Sequence, residues 1–388
     1  MTLRRSVVST IAWLALGGCA SAPSVTRDGA APAVRRIDME PLRLEVRRHG
    51  DTSTIEVVDA ASLFDDAGAS LAARDLDAAI TRYDRLLADF ADSRYVAAAL
   101  YNAGLAHEGK GDWPAAARRY RELAERFSAT KDGVDALFRL GGVHAEMRDW
   151  AAAEETFARL AERTDLGLAD RVETLARLGY ARVERGDRDG AERALRLALA
   201  EHEKHELDER IESEFFVAMA HYYVAAIVHE RFRELPIRLP EEQMAKDLDE
   251  KARLLLLAHV GYIDTINVKD PTWATAAGFQ LGTLYREFYE ALLAAPVPPE
   301  LDAEARAIYF EQLRQHDKVK MLLEKAMSVY EKTLLMAERV GARNAWVQRA
   351  KEEIESVRKI LRGAPEAPRD EAPPSAPRRE DPPPSFVL

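Results

Sequence analysis

A ten-residue pattern occurs four times in the first half of the chain, and it constrains the fold more than any other feature. The four copies are RDLDAAITRY (74–83), GDWPAAARRY (111–120), RDWAAAEETF (148–157) and GDRDGAERAL (186–195). Their aspartates recur at spacings of 37, 37 and 38 residues: Asp75, Asp112, Asp149 and Asp187. Self-similarity at a fixed period of this length indicates a solenoid, in which each unit packs on its neighbours.

A second segment precedes three of these copies in constant register. It reads LYNAGLAH (100–107), LFRLGGVH (137–144) and LARLGYAR (175–182). Alanine, leucine, arginine and glutamate are abundant and are good helix formers. We therefore predict two helices per unit, with the glycines of this segment allowing their close approach. The pattern resembles the tetratricopeptide repeat (TPR), a helix–turn–helix unit with an L-G motif in its first helix and A-x-x-x-F in its second. The resemblance implies an all-α, TPR-type solenoid.

Past residue 205 the pattern weakens, but its landmarks return. Gly282 and Ala326 occupy the positions of the repeat glycine and alanine, yet they lie 44 residues apart where the first units have 12. The matching alanines of a fifth pair, Ala220 and Ala252, are 32 apart. We predict insertions between the helices of both pairs. The predicted layout is four units of period 37–38 over 59–204, two expanded, degenerate helical pairs over 205–342 and a capping helix over 343–362.

The chain begins MTLRRSVVSTIAWLALGGCASAPS, the order of features found in a secretory signal peptide. Its apolar run is about ten residues, short of the roughly 20 that span a bilayer. The stretch ending at Cys19, the only cysteine, resembles the lipobox of bacterial lipoproteins. The resemblance implies a signal peptide over 1–18, cleavage before Cys19 and acylation of that residue. The alternative is a free thiol behind an ordinary cleaved signal. Ala20 stands where an aspartate usually retains such proteins in the inner membrane, which favours the outer membrane, facing the periplasm.

Three flanking segments differ from the repeat region. Residues 19–36 are small and polar, and we predict a flexible tether. LRLEV (42–46) and STIEVV (53–58) alternate apolar and polar residues, which predicts a small β-hairpin within 37–58. The tail, 363–388, holds 8 of the 18 prolines and is predicted to be disordered. Its apolar tip, Ser385–Leu388, is either a docking peptide or a plain terminus.

The sequence offers little chemistry. Without residues 1–18 the charge is 53 − 66 = −13, which disfavours nucleic-acid binding. The stretch from Gly104 to Gly111 reads G-x-x-x-x-G-K-G, but a phosphate loop requires Ser or Thr after the lysine. His202 and His205 are spaced as two ligands on one helix face, or lie on a solvated face among glutamates. No catalytic motif appears, so we predict no enzyme, no cofactor and no metal site.

The remaining candidate site is the concave groove that the first helices of TPR folds line. By position within each unit, seven residues are predicted to face it and bind protein partners or peptides: Tyr101, Asn102, Leu105, Phe138, Arg139, Arg177 and Tyr180. Aromatic rings bury large areas, and arginine binds carboxylates in a bidentate way. The alternative is that these residues pack against the chain's own hairpin or tail.

One family resemblance is closer than the general one. The layout of DAASLFDDAGASL (59–71), FADSRYVAAALYNAGL (90–105), FQLGTLYREFYEALLAAPVPPEL (279–301) and RNAWVQRAKEEIE (343–355) is similar to the TPR lipoproteins of adventurous gliding motility. That resemblance implies a lipid-anchored scaffold in a trans-envelope motility complex, held to the membrane by its acyl chains. The alternative is a factor that handles client proteins, like the more distantly similar lipoproteins of outer-membrane assembly and Tol-Pal coordination.

Overall fold

The computed structural model describes residues 42–49, 52–205, 209–297 and 302–362, and within them the chain is almost entirely helical. The predicted signal peptide, Cys19 and the predicted tether and tail lie outside the described residues. The elements, in chain order, are β1 Leu42–His49, β2 Thr52–Asp59, α1 Ala60–Ala72, α2 Leu76–Asp89, α3 Val96–Gly109, α4 Trp113–Arg126, α5 Lys131–Glu146, α6 Trp150–Ala161, α7 Leu168–Arg185, α8 Arg188–His205, α9 Phe215–Glu234, α10 Glu241–Val268, α11 Pro271–Leu293, α12 Ala303–Gln315, α13 Asp317–Val340 and α14 Ala345–Leu361.

The helices pack as successive pairs along the chain, which confirms the all-α solenoid. The pairs are α1/α2, α3/α4, α5/α6, α7/α8, α9/α10 and α11/α13, followed by the single helix α14. Each second helix also packs on the first helix of the next pair, and several first helices contact one another. The first helices therefore lie on one common side of the stack, which we call its inner face. No described helix combines the length and apolar character needed to span a membrane.

The repeated aspartates of the sequence are N-caps. A side-chain oxygen of each accepts a hydrogen bond from a backbone N–H three residues on, at 3.2, 3.2, 3.1 and 2.9 Å for Asp75, Asp112, Asp149 and Asp187. The residue before each aspartate has a positive φ and ends the turn: Arg74, Gly111, Arg148 and Gly186. In each copy of the repeat, the Arg or Gly before the aspartate therefore occupies a left-handed turn position, and the aspartate caps the next helix.

The repeat glycines receive a large side chain from the second helix of their own pair. A Cβ added at Gly104 would lie 2.5 Å from the Tyr120 ring, and one at Gly141 would lie 2.5 Å from the Phe157 ring. The same arrangement joins Gly179 to Leu195. Only a residue without a side chain permits this approach, which gives the L-G motif a packing role.

The last two pairs differ from the sequence expectation in where their extra residues lie. α9 and α10 are joined by only six residues, 235–240, so the expected insertion is mostly added helix, with lengths of 20 and 28 residues. In the sixth pair the insertion between α11 and α13 contains the helix α12, which has no buried residue. Gly282 still receives the Tyr330 ring, so the pair keeps its contact across the insertion.

The predicted hairpin is present, with β1 and β2 antiparallel and Leu44 opposite Val57. Its charged face lies toward α2: Arg43 pairs with Asp89, and Glu45 pairs with Arg85. Val58 of β2 lies opposite Arg43 on the same face and is buried. Asp59 then ends the strand and caps α1, accepting a hydrogen bond from the Ser62 N–H at 2.8 Å.

Candidate interaction surface

Five of the seven predicted groove residues are partly exposed on the first helices α3 and α5. They are Tyr101, Asn102, Leu105, Phe138 and Arg139, and we call them the inner-face patch. The other two, Arg177 and Tyr180 on α7, are each only 5% exposed. The patch is therefore carried by the second and third helical pairs, and the expectation that it continues onto α7 is not met.

Arg139 links the two helices that carry the patch. Its Nε donates to the Tyr101 hydroxyl at 3.3 Å, and its guanidinium lies 3.6 Å from a carboxylate oxygen of Glu108. Tyr101 in turn packs edge-on against the Tyr120 ring, at 5.8 Å between centroids. Burial raises the pKa of Glu108, and the Arg139 side chain keeps 24% of its surface exposed. A cation and an aromatic ring are thus held in fixed relative positions at the surface.

Arg177 is buried because the next pair covers it. Its guanidinium lies 4.9 Å from the ring centroid of Phe216, at the start of α9, and 5.8 Å from that of Phe157. It also forms an ion pair with Glu173 at 2.8 Å, one turn back on α7. Burial lowers the pKa of Arg177. This cation belongs to the interior and is not available to a partner.

Tyr180 is buried in an aromatic cluster that joins four helices. Its ring lies 5.4 Å from Trp150 and 4.9 Å from Tyr223, and Tyr223 lies 5.6 Å from Trp273. Burial raises the pKa of Tyr180 well above its ordinary range. Sequence position within the repeat predicted exposure, and the signal that could have corrected it is the density of aromatic residues in 215–223 and at 273.

A buried polar network lies between α9, α10 and α11, and sequence reasoning missed it. Glu287 accepts from Arg233 Nε at 2.8 Å and from Arg233 Nη2 at 2.9 Å, and its carboxylate lies 3.0 Å from His229 Nε2. The other ring nitrogen, Nδ1, lies 3.1 Å from the Tyr262 hydroxyl. Glu230 also pairs with Arg233, at 2.5 Å. We call the whole group the Glu287 network: Glu287, Arg233, His229, Tyr262 and Glu230.

The protonation states in the Glu287 network follow from burial and pairing. Burial lowers the pKa of His229, as does the neighbouring Arg233, and its Nε2–H donates to the Glu287 carboxylate. Burial alone would raise the pKa of Glu287, but the hydrogen bond from His229 and the charge of Arg233 hold it low, at about 2. Every member of the network has a hydrogen-bond or ion-pair partner, and Glu287 is only 9% exposed. The network therefore stabilises the contact between the helices and offers no open site.

The two histidines spaced as metal ligands, His202 and His205, both lie on α8. Nε2 of His202 is 3.5 Å from a carboxylate oxygen of Glu214. Across the described part of the chain, no three His, Cys, Asp or Glu side chains are grouped as a metal would require. The phosphate-loop-like stretch is helix α3 and its turn, where Gly104 receives Tyr120 and Lys110 pairs with Asp77.

One family profile matches part of the repeat region. The family profile described as tetratricopeptide repeat matches residues 98–130 and 135–163, which include most of α3/α4 and α5/α6. No curated protein matches the chain significantly.

Several solved structures are similar at low identity. A tetratricopeptide repeat protein from Parabacteroides merdae is 12% identical over 77% of this chain and 98% of its own, with a TM-score of 0.36. The apo form of RapI is 10% identical over 79% and 99%, with a TM-score of 0.43. The TPR2AB domain of yeast Sti1, solved as a complex with pHSP90, is 15% identical over 77% and 98%, with a TM-score of 0.29. The helix pairs, the repeated contacts and the matched profile together indicate that the chain folds as a TPR-type helical solenoid. It carries a partly exposed patch on its second and third pairs.

Proposed function

We propose that this protein is a non-enzymatic, lipid-anchored scaffold that binds protein partners in a bacterial cell-envelope complex. In this proposal, acyl chains on Cys19 hold it at the outer membrane, facing the periplasm. The lipobox-like residues before Cys19 support the anchor, and the solenoid fold supports protein–protein interaction. The similarity to gliding-motility lipoproteins favours a motility complex as the setting.

The inner-face patch is the observation that carries the binding role. It combines two partly exposed aromatic rings, Tyr101 and Phe138, with the guanidinium of Arg139 and the amide of Asn102. Aromatic residues and arginine are the side chains most enriched where protein interfaces concentrate their binding energy. The hydrogen bond from Arg139 to Tyr101 orders these groups before a partner arrives, which lowers the entropic cost of binding.

Crosslinked pull-down of the native protein from membranes tests the proposal, beside a Cys19→Ala control. A small, fixed set of envelope proteins, lost in the control, is the expected result, and the identity of the partners would name the process. Recovery of many outer-membrane proteins in substoichiometric amounts would contradict the scaffold and support the client-handling alternative.

A second variant locates the binding surface. Tyr101→Ala combined with Phe138→Ala should reduce partner recovery about tenfold or more, because truncating an anchoring aromatic typically costs more than 1 kcal/mol. Leu197→Ala on α8 is the matched control, since Leu197 is also exposed (49%) but lies on a second helix. Equal recovery from both variants would remove the patch from the proposal.

A further inference from the structure

The β-hairpin presents its apolar face outward, the reverse of the usual arrangement. Leu42, Leu44, Val46, Ile55 and Val57 are between 55% and 69% exposed, and we call these five the hairpin apolar face. The strand register places Leu44 opposite Val57 and Val46 opposite Ile55, so the five side chains form one continuous surface. An antiparallel sheet with one wet face normally turns its apolar side chains toward the core.

The orientation is fixed by the charged face on the other side. Arg43 and Glu45, which alternate with the apolar residues of β1, form ion pairs with Asp89 and Arg85 of α2. Val58, across from Arg43, is buried against the helices. A rotation that buried the apolar face would break both ion pairs. A two-stranded hairpin is marginal on its own, so a surface outside the described residues is expected to cover these five side chains.

The size of the face argues against a second copy of the chain as the cover. Five aliphatic side chains at this exposure present roughly 500 Å², whereas a stable complex buries about 800 Å² on each partner. Contact between two such hairpins would therefore need further surface. A lipid interface has no such size requirement, because each apolar side chain that enters it contributes separately.

The position of the hairpin in the chain favours lipid. Only 22 residues separate Cys19 from Leu42, so the hairpin is the first described element after the proposed anchor. A chain of that length with the small, polar composition of residues 19–36 has an expected end-to-end distance of about 26 Å, so the predicted tether keeps the hairpin close to the bilayer surface. Exposed Arg48 lies on the same face, at the end nearer the strand connection, where it can meet anionic headgroups.

We propose that the hairpin apolar face inserts into the membrane surface and fixes the orientation of the solenoid relative to the bilayer. This inference rests on the proposed lipid anchor, since the tether supplies the proximity. The acyl chains hold the protein at the membrane, and the hairpin decides which side of the first helical pair faces it. The partner is the lipid interface, with anionic headgroups around Arg48.

The test uses the full acylated protein in vesicles of phosphatidylethanolamine with about a quarter phosphatidylglycerol. A Leu44→Cys variant is labelled at position 44 with an environment-sensitive fluorophore, and quenchers are attached to the lipid chains near the headgroups. Thr54→Cys is the matched control, because residue 54 is exposed on the opposite face of the same hairpin. We expect roughly threefold stronger quenching at position 44 than at 54, since an interfacial element buries its apolar face about 5–10 Å deep.

The other outcomes overturn the proposal in distinguishable ways. Equal quenching at both positions excludes insertion of this face. A blue-shifted label at position 44 that the lipid quenchers do not reach shows that protein covers the face, either a partner or the chain's own residues before Leu42. The protein without either substitution tests the anchor independently of the hairpin. If its Cys19 thiol reacts with maleimide, the residue is not acylated and the anchor proposal has failed. Circular dichroism of each variant establishes that the helices are intact.

Discussion

The first four helical pairs and the last two have the same plan but are stabilised in different ways. In the first half a short list of small contacts repeats: an aspartate cap, a left-handed turn residue and a glycine that receives a large side chain. In the second half the helices are longer, and an aromatic cluster and the Glu287 network fill the space between them. Regular units satisfy their packing locally, whereas lengthened helices bring polar groups into the interior that only distant partners can satisfy.

Removing the charge at the centre of the second half should have the largest effect. Glu287→Leu leaves Arg233 and the His229 Nε2–H without their main acceptor, and breaking a buried ion pair in this way costs about 3–5 kcal/mol. Urea unfolding followed by circular dichroism measures the loss. Glu311→Leu on the exposed helix α12 is the control and should leave the midpoint unchanged.

The same carboxylate gives this effect a pH dependence. The folded-state pKa of Glu287, about 2, lies below its ordinary value of 4.5. Its contribution is therefore fully present above pH 4.5 and is lost as the pH falls toward 2. The difference in stability between the wild type and the Leu variant should shrink over that window. A constant difference would show that the pKa of Glu287 does not change on folding.

In the first half, the sensitive element is a glycine. A Cβ at residue 141 would lie 2.5 Å from the Phe157 ring, so Gly141→Ala should destabilise the protein by about 1–3 kcal/mol through overpacking. Gly68→Ala is the control and should stabilise the protein. A Cβ at residue 68 would lie 3.8 Å from its nearest neighbour, the Tyr83 hydroxyl, and alanine is favoured over glycine in a helix by about 0.5–1 kcal/mol. Thermal unfolding of both variants measures the contrast. Two stabilising results would show that the repeat glycines have no packing role.

The caps should matter less. Asp149→Ala removes the hydrogen bond accepted from the Ala152 N–H and should cost about 1 kcal/mol. Asp149→Asn keeps an acceptor at the same place and should retain most of the stability. Chemical denaturation distinguishes the two variants, and an equal loss in both would assign the effect to charge and not to capping.

The smallest effect should be a gain. Arg148 holds a φ of 57°, a conformation that glycine adopts without strain, and the equivalent residues Gly111 and Gly186 are glycines. Arg148→Gly should raise the free energy of unfolding by up to about 1 kcal/mol. The reverse exchange, Gly186→Ala at φ 82°, should lower it by a similar amount. Differential scanning calorimetry measures the thermal stability of both variants. The prediction is wrong if both variants are stabilised or both are destabilised.

The sequence predicted what is repeated and local. The spacing of Asp75, Asp112 and Asp149 marked the start of each second helix, and Gly104 and Gly141 marked the close helix contacts. Strand alternation predicted the hairpin, but not that its charged side chains would face α2, because the Arg43–Asp89 pair joins residues 46 apart.

The errors concern contacts between distant elements. Repeat position placed Arg177 in a groove, yet Phe216, 39 residues later, covers it. The Glu287 network could not be foreseen because Arg233 and Glu287 are 54 residues apart and no repeat relates them. The binding role of the inner-face patch and the lipid on Cys19 remain predictions that the experiments above address.

The packing of each helical pair on its neighbours also has a mechanical consequence. Tension applied between the two ends of a solenoid passes through every interface in series, so the least resistant interface extends first. The first pairs, whose ion pairs between units keep a partly exposed cation, as in Arg139 with Glu108, should lengthen one unit at a time under load. The last two pairs, crossed by the ion pairs of Glu287 and Arg233, should yield together at higher force, and single-molecule force–extension curves would show a staircase followed by one larger step.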